Sequence, residues 1–143
     1  MNPFIKFVLQ LHGDTVWLVL ALGAATLACG IYLIVRTRAA GAGAGVAGNA
    51  QLVGPMRLFR RLLAVTAAIG VLQVLFGAIL YVGGAPHPAE GLHYVYGLIV
   101  LGAIPVAYAY SDQKQVRRDI IIMSIAAVAI IGAAVRAFMT GTP

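Results

Sequence analysis

The residues best suited to chemistry in this sequence are its three histidines, His12, His87 and His93. No serine or cysteine stands beside any of them, as a nucleophile and its base would require. Their spacing is not that of a zinc site, which wants three or four nitrogen, sulfur or carboxylate ligands at close intervals. Two imidazoles brought to one level and facing each other could instead supply both axial ligands of a haem iron. His12 and His93 are the expected pair. Gly97 follows His93 by four residues, so it falls on the same helical face. A glycine there would let a flat macrocycle come close to the backbone. Arg136 is the expected partner for a haem propionate, because guanidinium geometry matches a carboxylate. His87, held between Pro86 and Pro88, reads as a solvated loop residue.

Whether those residues can meet depends on the elements that carry them. The chain has 143 residues, of which 62% are apolar and 10% charged. A soluble domain is about half apolar and about a quarter charged. The mean hydropathy of +0.96 agrees. So much apolar surface excludes a soluble enzyme, a disordered chain and a nucleic-acid binder, despite a pI near 10.0. Cys29, the single cysteine, excludes an intrachain disulfide scaffold.

A helix needs about 20 mostly apolar residues to cross a bilayer core. Uncharged runs cover 15–35 and 62–86, and residues 92–110 and 120–135 supply two more. The last reaches spanning length if Arg136 snorkels. Extended to their flanking signals, the predicted helices are about 4–36, 58–83, 91–110 and 118–139. Pro3 suits a first helical turn. Gly83, Gly84, Pro86 and Pro88 separate the second helix from the third, and Thr140, Gly141 and Pro143 close the fourth. The run 39–54 is rich in glycine and alanine and reads as a flexible linker. It lacks the strand before it and the Gly-Lys-Ser/Thr after it that a nucleotide loop requires.

Basic residues set the expected orientation. Arg36, Arg38, Arg57, Arg60 and Arg61 lie between the first two helices, and Lys114, Arg117 and Arg118 between the last two. That is eight of the ten, with Lys6 and Arg136 on the other side. The positive-inside rule then places loops 36–61 and 111–118 in the cytoplasm and both termini outside a cell (inner or plasma) membrane. Small residues such as Gly23, Ala28, Gly70, Gly77 and Ala133 suit close helix packing within lipid. The expected fold is all-α: an up-down bundle of four transmembrane helices forming a single membrane domain. In it, His12, Tyr81, His93, Tyr94, Tyr96 and Arg136 all fall at the outer level, with the first and third helices diagonal. Gln73, deeper in the second helix, reads as an interhelical hydrogen bond.

The stretch 72–102 (LQVLFGAILYVGGAPHPAEGLHYVYGLIVLG) resembles a segment of the haem A synthase family. The family pattern has Gln then Gly on one helix, a proline-containing outer loop and Leu-His early in the next helix; Gln73, Gly77, Pro86 and His93 match it. Residues 7–22, with His12, are similar to the family helix that carries the partner histidine. The resemblance implies a four-helix half with one histidine pair suited to a haem. It departs from the family at Val8 and Gly13, where the family has glutamate and arginine, and in lacking outer-loop cysteines. The expected function is therefore a small membrane protein holding one haem b near the outer face. It would be an electron-transfer subunit of a respiratory or photosynthetic complex, with Tyr81, Tyr94 and Tyr96 available to a quinone. Two alternatives stand beside it: a cofactor-free accessory subunit packed on a larger membrane complex, and a haem-modifying enzyme acting as a dimer of halves. The expected partners are the lipid bilayer and either that complex or further copies of the chain, with no nucleic acid.

Overall fold

The computed structural model describes residues 2–39, 50–88, 90–111 and 115–141. Among the described residues the chain forms four helices: α1 (Pro3–Ala39), α2 (Ala50–Val82), α3 (Leu92–Ala109) and α4 (Val116–Gly141). Each is long and apolar enough to cross a membrane. The fold is the all-α four-helix bundle that the hydropathy pattern predicts.

Buried positions recur at alternating steps of three and four. They are Val16, Val19, Gly23, Thr26, Gly30 and Leu33 on α1, and Leu52, Met56, Phe59, Leu63, Thr66 and Gly70 on α2. Val100, Ile104 and Ala107 continue the pattern on α3, and Ile120, Met123, Ala127, Ile130 and Ala134 on α4. A repeat averaging about 3.5 residues keeps one seam of each helix turned inward, as in left-handed bundles. The opposite faces are apolar and bare: Leu98 is 67% exposed and Ile125 63%. In water such continuous apolar surface would drive association; in lipid it is already solvated.

Glycines let the backbones meet. A Cβ at Gly23 would lie 2.9 Å from Ile131 Cγ1, and one at Gly30 would run into Ser124 Oγ. Both contacts join α1 to α4. A Cβ at Gly70 would lie 3.2 Å from Val100 Cγ1, where α2 meets α3. The core polar residues hydrogen-bond locally: Thr26 and Thr66 donate to Leu22 O and Leu62 O at 2.7 Å, with the two hydroxyls 3.3 Å apart. α1 packs extensively on both α2 and α4, and α3 on α4, whereas α2 and α3 touch far less. α1 and α3 therefore take one diagonal of the bundle.

Element ends differ from the sequence expectation in places. α2 begins at Ala50, so residues 50–54 belong to a helix and not to the linker; residues 40–49 of that linker lie outside the described residues. Composition hid this start, because the glycine- and alanine-rich run reads as linker throughout. Leu52 (1% exposed) and Met56 extend the inward seam instead, and Arg36 Nη2 donates to Gln51 Oε1 at 3.2 Å, tying the end of α1 to the start of α2. Pro55 is carried inside the helix. α4 runs through Thr140 to Gly141, whose types suggested a stop.

Two apolar clusters result. The large one fills the bundle from Val16 on α1 down to Leu33. A small one, Ile5, Val8, Leu80 and Ala85 with Phe76 against it, caps the end where both chain termini lie. Between them, one turn below Val8 and one above Val16, sits a polar layer built around His12.

The Gly30 contact generates a test. Gly30→Val should force α1 from α4 and destabilise the bundle by about 1–3 kcal/mol, while Ala24→Leu on an exposed face of α1 should be near neutral. Thermal unfolding in detergent micelles, followed by circular dichroism, reads the difference.

Candidate functional site

The polar layer brings His12 and His93 together across the α1–α3 diagonal. Their ring centroids are 6.1 Å apart, with 63° between the ring planes. Each is half-buried. Sequence position placed both at one level; the facing geometry follows from the close α1–α4 and α3–α4 packing.

The two imidazoles are held differently. His93 Nδ1 lies 2.9 Å from the carbonyl oxygen of Ala137 on α4. A carbonyl only accepts, so Nδ1 carries the proton and donates. In the neutral ring the other nitrogen, Nε2, then keeps its lone pair. The acceptor sits near the last turn of α4, the partly negative end of a helix. Gly141 seals this seat: a Cβ there would fall 2.8 Å from His93 Cε1.

His12 has no such anchor. Its Nδ1 is buried without a hydrogen-bond partner, and so is Gln73 Oε1. The Gln73 amide instead donates Nε2–H to the His12 carbonyl at 3.2 Å, joining α2 to α1. Thr15 Oγ1 stands 3.3 Å from the same carbonyl and 2.8 Å from that of Leu11, to which it donates. A buried polar atom left unpaired costs about 1–3 kcal/mol. Both atoms lie in this one layer, on neighbouring side chains of α1 and α2.

The inward seams are open here. On α3 the seam runs His93, Gly97, Val100, Ile104, Ala107, and a Cβ at Gly97 would meet nothing within 4 Å. On α2, a Cβ at Gly77 would meet only His12 Cε1, at 3.9 Å. Elsewhere the seam glycines are tightly faced, as at Gly23 and Gly70. At this level they leave space.

Arg136 belongs to the same level but not to the seam. Its side chain is exposed, with Cζ 5.9 Å from the ring centroid of Tyr96. It stands at the rim beside the Ala137 carbonyl that holds His93. His87 is exposed, as a loop residue should be, yet it is not isolated. Its ring packs 5.5 Å from Tyr81, Tyr81 lies 6.1 Å from Tyr94, and Tyr94 lies 6.1 Å from His93. A file of five rings thus leads from His12 to the outer loop.

Sequence reasoning singled out His12, His93, Gly97 and Arg136 and expected Gln73 to bond between helices. It missed Ala137, whose part is played by a backbone carbonyl with no side-chain signature. It also missed Gly141, masked by the terminal Thr-Gly-Thr-Pro run, and Gly77 as a contact of His12. Among the described residues no group of three or more histidine, cysteine or carboxylate side chains could hold a metal ion. Comparison with protein-family models, curated proteins and solved structures finds no match to this chain.

Two substitutions probe the layer. Gly141→Val should push the His93 ring off the Ala137 carbonyl, lost as the Nδ1–H signal in ¹⁵N-histidine NMR. Gln73→Leu removes one interhelical hydrogen bond together with an unpaired amide oxygen, so the two effects oppose each other and thermal stability should change by less than about 1 kcal/mol, while leaving that His93 signal in place.

Proposed function

We propose that His12 and His93 are the axial ligands of one b-type haem, and that the chain is an electron-transfer subunit of a membrane complex. The observation that carries this is the separation of the two rings. The two imidazoles face each other across the bundle with centroids 6.1 Å apart, and together they would hold one haem iron.

The donor set fits as well. Bis-imidazole ligation holds iron six-coordinate, and bound there the haem would supply one-electron exchange. The Ala137 carbonyl fixes the His93 tautomer and makes its free nitrogen the more basic, as outer-shell partners of metal-bound histidines do. The glycine positions 77 and 97 leave room on the seams. Arg136, exposed at the rim beside Tyr96, would be the partner of a carboxylate at the macrocycle edge. Apolar clusters flank the layer on both sides. The likeness of residues 72–102 to the haem A synthase segment supports the same assignment. The distribution of basic residues supports a site on the outer side of the membrane.

Protein purified from haem-replete cells should show a Soret band and a low-spin reduced-minus-oxidised spectrum. His12→Ala and His93→Ala should each abolish the low-spin signal, and His87→Ala should preserve it. Absence of absorbance above about 400 nm in the wild-type chain, characteristic of bound haem, would overturn the assignment. A separate check is topology: a reporter active only outside the membrane should work when fused at residue 141 and be silent within 40–49.

A further inference from the structure

The largest charge imbalance in the chain lies at the end of the bundle opposite the histidines. The stretches 36–61 and 111–119 carry eight basic residues against two carboxylates, Asp112 and Asp119. Three of the arginines, Arg57, Arg60 and Arg61, stand on α2 at i, i+3 and i+4. That spacing puts side chains about 5–6 Å apart on one helix surface. All three are exposed. Like charges so placed repel, and α2 has no acidic residue to offset them. Asp119, which lines a recess beside Arg60, is already engaged.

Two features define what the trio meets. It is the last charged turn before the uncharged run 62–86. With α2 across a bilayer, it lies where the hydrocarbon ends and the head groups begin. The α2 surface beyond it is bare and apolar. Arg57 and Arg61 head a column that continues through Ala64, Ala68, Val71 and Leu75, all exposed, on the side away from the Leu63, Thr66 and Gly70 seam.

We propose that Arg57, Arg60 and Arg61 bind the phosphate of an anionic phospholipid whose acyl chains lie along that column. Guanidinium groups match phosphate oxygens in geometry as well as charge. Basic clusters at the ends of membrane helices attract anionic head groups. Tyr108 on α3, exposed and lining the same recess as Arg60, supplies a further hydroxyl donor. Phosphatidylcholine fits less well, because its choline cation would meet the same three charges. An acidic protein segment answers the charge but offers nothing to the apolar column. The site stands apart from the histidine layer, does not rest on the haem assignment, and holds for either orientation of the chain in the membrane.

The test uses the full chain in neutral detergent micelles with equal amounts of dioleoyl phosphatidylglycerol and dioleoyl phosphatidylcholine, and counts retained lipid by native mass spectrometry. One phosphatidylglycerol per chain is expected, in preference to phosphatidylcholine. Arg57→Gln and Arg61→Gln, at exposed positions, should each weaken its retention about fivefold, and the double variant should lose the preference. Arg118→Gln, which removes one charge from α4 at the same end, should retain phosphatidylglycerol as the wild type does. Equal loss in Arg118→Gln would reduce the effect to diffuse surface charge and overturn the site. Equal retention of both lipids by the wild type, or unchanged preference in the double variant, would overturn it as well. Binding of a polyglutamate peptide that excludes phosphatidylglycerol would assign the trio to an acidic protein segment instead.

Discussion

Close approach of α1 to α4 governs the rest of the molecule. Within lipid there is no hydrophobic drive between helices, so association depends on van der Waals fit and on hydrogen bonds. Gly23 and Gly30 bring the α1 backbone against Ile131 and Ser124. That contact, with α3 packed along the other side of α4, swings the terminal ends of α1 and α3 toward each other. Wider side chains at those glycines would carry His12 away from His93 while leaving every helix intact. The geometry of the polar layer is thus set more than a turn below it.

Within that layer the two histidines differ in freedom. His93 is fixed in tautomer and orientation by a backbone carbonyl and crowded by Gly141. His12 keeps a buried nitrogen without a partner. The facing pair thus joins a ring fixed by the main chain of α4 to one whose nearest polar side chain is Gln73 on α2. Of the two open glycine positions at this level, Gly77 faces the His12 ring.

Much of this was legible before any coordinates. Runs free of charge located the four helices, and their alternation put His12 and His93 at one level. Three things were not legible. The early start of α2 was hidden because the glycine- and alanine-rich run 39–54 read as one linker, while Leu52 and Met56 continue a seam that only a neighbouring helix reveals. The seat of His93 uses the main chain of Ala137, and a carbonyl belongs to every residue alike. The file of rings through Tyr94 and Tyr81 depends on side-chain directions at three different elements, which spacing along one helix cannot supply.

The uneven packing of the four helices also bears on how the molecule is built. α1 with α2, and α3 with α4, are hairpins of sequence neighbours, and contacts local in the chain form before distant ones. Helices inserted into a bilayer are stable singly and associate afterwards. With little contact between α2 and α3, the hairpins join chiefly through α1 and α4. The two histidines ride on different hairpins, so neither has its counterpart until that docking occurs. The facing pair is therefore a property of the docked hairpins and of neither hairpin alone.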